Sequence, residues 1–136
     1  MASPAPTARR PRYTPPERRG LVTFAGVALI LAGSFNLLDG VVAIAKDDHF
    51  RGDELLFGDL AGWGIWWLVI GSLQLYAGLQ VMKMREAGMM IGIPLAGLNA
   101  FTQLMFLAVY PSWSIAILVL DLVVIYALAR SADAFE

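Results

Sequence analysis

Four long apolar stretches alternate with short polar segments along this chain of 136 residues. About 20 apolar residues in a helix cross a hydrocarbon layer of about 30 Å. No Lys, Arg or His falls inside these stretches, which are residues 21–45, 59–82, 87–109 and 113–129. The pattern therefore predicts an all-α integral membrane protein, a four-helix bundle over residues 20–130 whose natural surroundings are a lipid bilayer.

Glycines recur every seven residues in the first two spans, at Gly26, Gly33 and Gly40 and at Gly64, Gly71 and Gly78. Residues seven apart lie along one side of a helix. A stripe without side chains lets another backbone approach closely, so we expect the two stripes to pack against each other. In the third span, Gly88 and Gly92 begin a similar ladder of small residues.

Polar side chains inside the spans are the candidate site, a buried network of Asn36, Asp39, Gln74, Asn99, Thr102, Gln103 and Asp121. Such groups are costly in hydrocarbon unless they face protein. Asp121 lies near the membrane centre, at the depth of Asn99. An ionised carboxylate with no cation nearby is unfavourable there, so we expect Asp121 to be protonated and hydrogen-bonded to Asn99.

Two interpretations of this network stay open. In the first, the acids and amides hold the helices in register. In the second, the network is a proton or cation pathway in which Asp39 is the outer entry and Asp121 is the central titrating group.

Basic residues predict the orientation in the membrane, because Lys and Arg are retained on the cytoplasmic side. Eight of the ten fall in the amino-terminal tail, in the turn after the second span and at the carboxyl end. We expect a disordered, Pro-rich tail over residues 1–19, a short tail over 131–136, and both termini in the cytoplasm. The arginines of the first tail either contact anionic lipid or only set the topology.

A weak repeat links the second and fourth spans. A shift of fifty residues matches Trp63, Tyr76 and Ala77 with Trp113, Tyr126 and Ala127. The match suggests a duplicated helical hairpin.

Composition excludes several kinds of chemistry. Without Cys the chain has no disulfide or thiolate metal site. Carboxylates and an imidazole in one polar loop could bind a divalent cation. These candidate ligands are Asp47, Asp48, His49 and Asp53. Their spacing matches no established metal-binding motif. We see no nucleophile–base pair and no phosphate-binding loop, and no folded basic face for nucleic acid. We therefore expect no enzyme, cofactor, metal site or nucleic-acid partner.

Several short motifs resemble those of an uncharacterised family of small four-helix integral membrane proteins, mostly actinobacterial. They are Phe35-Asn36-x-x-Asp39-Gly40, Asp47-Asp48, Gly62-Trp63, Tyr110-Pro111-x-Trp113 and Asp121. The family is known only as a domain of unknown function. The resemblance implies the topology and carries no activity with it.

These observations predict a non-enzymatic structural or accessory component of a complex in the plasma membrane. We expect it to form a homo-oligomer, or to join other subunits, through its glycine faces. The alternative is a small proton-coupled transporter or channel that uses Asp39 and Asp121.

Overall fold

Four long helices make up the fold in a computed structural model, which describes residue 13 and residues 15–46, 60–108 and 111–135. They are α1 (Pro16–Lys46), α2 (Leu60–Met82), α3 (Glu86–Phe106) and α4 (Pro111–Arg130). A short 3₁₀ helix, Ala132–Ala134, follows. Each long helix is long and apolar enough to cross a membrane. The predicted all-α four-helix fold is confirmed.

The helices pack in a ring, with α1 against α2, α2 against α3, α3 against α4 and α4 against α1. Successive helices run in opposite directions, so α1 begins and α4 ends at the same end of the bundle. We call this the turn end, because the α2–α3 turn lies there. The opposite end, where α1 ends and α2 begins, is the loop end.

The α2–α3 turn is a compact Schellman motif. Met84 has a φ of 54°, the left-handed conformation that glycine usually supplies at this position. Its N–H donates to the Val81 carbonyl at 2.9 Å, and the Arg85 N–H donates to the Gln80 carbonyl at 3.0 Å. These bonds satisfy carbonyls at the end of α2 and return the chain directly into α3.

Helix ends differ from the sequence prediction where proline is involved. α1 begins at Pro16 and α4 at Pro111, about five and two residues before the predicted starts at 21 and 113. Proline fits the first turn because its missing N–H has no helical acceptor there. Residues 16–19, which we had assigned to a disordered tail, are therefore helical.

The carboxyl-terminal segment, predicted as a short tail, packs against the helices. Ser131 and Phe135 are buried, and Phe135 belongs to the same apolar cluster as Val22 and Leu128. Asp133 Oδ2 lies 3.4 Å from Arg18 Nη1 in α1. The segment predicted as a tail instead packs onto the turn end.

The apolar core is concentrated toward the turn end, and one side of α1 shows this clearly. Ala25 and Ala28 are buried in the core cluster, Ala32 and Asn36 are half-buried, and Asp39 is exposed. These residues are three or four apart and share one side of the helix. The cover on that side of α1 thus decreases from the turn end to the loop end.

Helix α2 shows the same trend in the opposite chain direction. Val81 and Ala77 are fully buried, Ile70 is 8% exposed and Trp63 is 44% exposed. The hairpin of α1 and α2 therefore packs closely on the hairpin of α3 and α4 at the turn end. Toward the loop end, these sides of α1 and α2 are less covered.

Candidate functional site

The first hairpin is held together by contact between two backbones. A Cβ added to Gly33 would lie 2.7 Å from the Gly71 carbonyl oxygen, and a Cβ added to Gly71 would lie 2.7 Å from the Gly33 oxygen. The same reciprocal contact pairs Gly40 with Gly64 at 2.8 Å. Side chains essentially never approach a carbonyl this closely, so glycine is required at these positions for the two helices to touch.

The glycine pair at the turn end, Gly26 and Gly78, has a similar arrangement. A Cβ on Gly78 would lie 2.8 Å from the Gly26 oxygen, and one on Gly26 would lie 2.6 Å from Met82 Cγ. All six glycines of the two stripes are thus buried inside one chain. The hairpin itself thus occupies these glycine stripes, and association with other chains through glycine faces stays a prediction.

An amide pair lies beside the glycine contact. Asn36 Nδ2 in α1 donates to Gln74 Oε1 in α2 at 2.5 Å. Gln74 is 1% exposed, and Asn36 is half-buried. The bond pairs one donor with one acceptor between the helices and fixes the rotation of α1 relative to α2.

The second hairpin has a hydrogen bond of its own. Asn99 Nδ2 in α3 donates to Asp121 Oδ2 in α4 at 2.7 Å, the partner expected from the sequence. Asp121 is 6% exposed. The bond joins α3 and α4 near the middle of both helices, as the Asn36–Gln74 bond joins α1 and α2.

Gly88 and Gly92 pack α3 against the other helices. A Cβ on Gly88 would overlap the backbone nitrogen of Val81, and one on Gly92 would lie 3.1 Å from Cδ1 of both Leu29 and Leu128. These contacts join the two hairpins at the turn end.

Three predicted network residues do not join either pair. Asp39 is exposed, so the prediction that it is buried is wrong. Burial on its side of α1 decreases toward the loop end, where Asp39 lies. Thr102 Oγ1 donates to the Leu98 carbonyl of its own helix at 3.0 Å, and Gln103 is half-buried. The described residues thus form two separate pairs and no continuous chain of hydrogen bonds from Asp39 to Asp121.

Sequence reasoning missed Ser114, which is 1% exposed and whose Oγ has no hydrogen-bond partner among the described residues. Ser114, Asp121 and Leu128 are seven residues apart and all buried. A shift of fifty residues places them on Gly64, Gly71 and Gly78. The fifty-residue match with the second span therefore contained the signal: the glycine stripe of α2 has a counterpart in α4.

One small cleft of about 40 Å³ lies between α2 and α3, lined by Trp66, Trp67, Ile70, Leu98, Asn99 and Thr102. Asn99 therefore both bonds to Asp121 and borders the cleft. Neither Asp39 nor Asp121 lines it.

The candidate metal ligands Asp47, Asp48, His49 and Asp53 lie outside the described residues. Within the described ranges, no group of three or more His, Cys, Asp or Glu residues could hold a metal ion.

Comparison with known families identifies the family of this chain. A family model described as a domain of unknown function (DUF7144) matches residues 21–133. The chain belongs to this family. The match begins within α1, includes the other three helices and ends in the carboxyl-terminal segment. No curated protein and no solved structure matches the chain.

Proposed function

We propose that this family member is a non-enzymatic structural or accessory component of a plasma-membrane complex, with both termini in the cytoplasm. The observation that carries the proposal is the pairing of polar side chains across each hairpin, Asn36 with Gln74 and Asn99 with Asp121. Groups bonded to each other in this way hold helices in register. They are not presented to a substrate.

The outer surface supports a role in assembly or lipid contact. Large apolar side chains cover it, among them Phe35 at 65%, Phe101 at 60% and Met105 at 71% exposed. Because the glycine stripes are used within the chain, a second copy or a partner helix would pack on these larger side chains, in competition with lipid. This apolar surface suits other membrane proteins and lipid as partners, and it does not suit nucleic acid.

The transport alternative receives less support. A cleft of about 40 Å³ has room for a few water molecules, since one water requires about 10–15 Å³ of such volume. A pathway through Asp39 and Asp121 would need both carboxyl groups to border a common water-filled space. The cleft borders neither of them.

Purification from native membranes in a mild detergent tests the proposal. We expect the chain to elute in a stoichiometric complex, either with itself or with another membrane protein, and we expect Asp121→Asn to leave that complex intact. Reconstitution into liposomes is the opposing test. A chain that elutes as a monomer and supports a proton or cation flux that Asp121→Asn abolishes would establish transport instead.

A further inference from the structure

The cleft between α2 and α3 has the polarity that a bound water needs. Asn99 uses its amide nitrogen for the bond to Asp121, which leaves its Oδ1 to accept a hydrogen bond. Thr102 Oγ1 donates to the Leu98 carbonyl, which leaves its lone pairs to accept another. The two residues are three apart on α3, so their side chains lie on one side of the helix. The cleft thus has two neighbouring acceptors.

The apolar core closes the cleft on one side. Of the residues that line it, Ile70 is 8% exposed and Trp66 is 47% exposed. On the turn-end side, Ala77 and Val81 are fully buried. A water in the cleft is therefore closed off from the turn end by the apolar core.

We propose that this cleft is a water-binding site in which an ordered water donates to Asn99 Oδ1 and Thr102 Oγ1. A water that donates to the Asn99 carbonyl polarises the amide and strengthens its N–H donation to Asp121. The polar pair of the second hairpin is then hydrated through Asn99. The Asn36–Gln74 pair does not border the cleft.

Asparagine offers an internal control, because Asn36 and Asn99 are the two asparagines of the chain. Water-edited solid-state NMR on liposome-embedded protein with ¹⁵N-labelled asparagine side chains measures transfer of magnetisation from water to each amide. We expect the Asn99 signal to build up at least about three times faster than the Asn36 signal. Equal rates, or a faster rate at Asn36, would overturn the proposal.

Two substitutions of matched chemistry sharpen the test. Thr102→Val keeps the shape and removes one water acceptor, so it should slow the transfer to Asn99 at least about twofold and leave Asn36 unchanged. Ser72 Oγ also donates to a carbonyl one turn back, that of Leu68 at 2.8 Å, but Ser72 does not line the cleft. Ser72→Ala should therefore change neither rate. An unchanged Asn99 rate in Thr102→Val rules out the proposed water position, and the unchanged Asn36 signal in each variant shows that the bundle has folded.

Discussion

The two hairpins solve one packing problem with different chemistry. Gly64, Gly71 and Gly78 of α2 have no side chains and touch the backbone of α1. The positions fifty residues later in α4 carry Ser114, Asp121 and Leu128, and these are buried as well. The first hairpin is thus specified by close backbone contact with an amide pair beside it. In the second hairpin, the acid of the polar pair lies on the buried stripe itself.

This difference indicates which kind of substitution, steric or polar, each hairpin tolerates. A contact between two backbones cannot accommodate an added atom, because any added carbon meets a carbonyl that cannot move without its helix. A side-chain hydrogen bond between helices is worth less, about 0.6 kcal/mol on average in membrane proteins and up to about 1.7. We therefore expect steric changes in the first hairpin to outweigh polar changes in the second.

The largest effect should come from Gly33→Ala. The new Cβ would lie 2.7 Å from the Gly71 oxygen and 2.8 Å from the Leu75 nitrogen, so α1 and α2 must move apart at a cost of about 3 kcal/mol. Unfolding in mixed micelles with increasing SDS measures the loss. Gly97→Ala is the control, because an added Cβ there meets nothing within 4 Å; similar losses in both variants would contradict the backbone-contact account.

The polar pair of the second hairpin should give a smaller effect. Asp121→Leu removes the acceptor of Asn99 and should destabilise the bundle by about 1.5 kcal/mol. In a double-mutant cycle with Asn99→Leu, the two losses should be coupled. Strict additivity in the same SDS titration would mean that the hydrogen bond contributes nothing to holding α3 and α4 together.

Ser114 should respond in the opposite direction. Its hydroxyl is buried without a partner among the described residues, and a buried unsatisfied polar group costs about 1 kcal/mol or more. Ser114→Ala should therefore raise the free energy of unfolding by about 1 kcal/mol. A loss of stability in this variant would show that the hydroxyl has a favourable contact in the membrane.

Asp121→Asn should have the smallest effect, close to zero. A protonated carboxyl and a carboxamide each offer one acceptor oxygen and at least one donor, so Asn preserves the bond to Asn99. The yield of monodisperse protein and its SDS midpoint should match those of the parent chain. A severe loss of folded protein would instead mean that Asp121 is ionised and that its charge is required.

Much of the fold follows from the sequence because apolar length alone determines a membrane crossing. The spacing of Gly33 and Gly71 within their helices also indicates which sides meet, since a stripe without side chains has one obvious use. The Asn99–Asp121 bond was predictable from depth, because both residues lie near the middle of their spans.

Asp39 shows why the rest could not be predicted. Periodicity identifies the side of a helix on which a residue lies, and Asp39 does share a side with the buried Ala25 and Ala28. Periodicity does not reveal how far along that side the neighbouring helix remains in contact. The decrease in burial toward the loop end is a tertiary property, and Asp39 is exposed there.

The burial of Phe135 has a consequence for biosynthesis. Its partners in the core cluster include Val22, near the start of the first helix, and Asp133 pairs with Arg18 at a separation of 115 residues. The carboxyl-terminal segment must therefore be synthesised before the earliest helix gains its last neighbours. Until that point, the nascent bundle is held by its consecutive helix pairs alone.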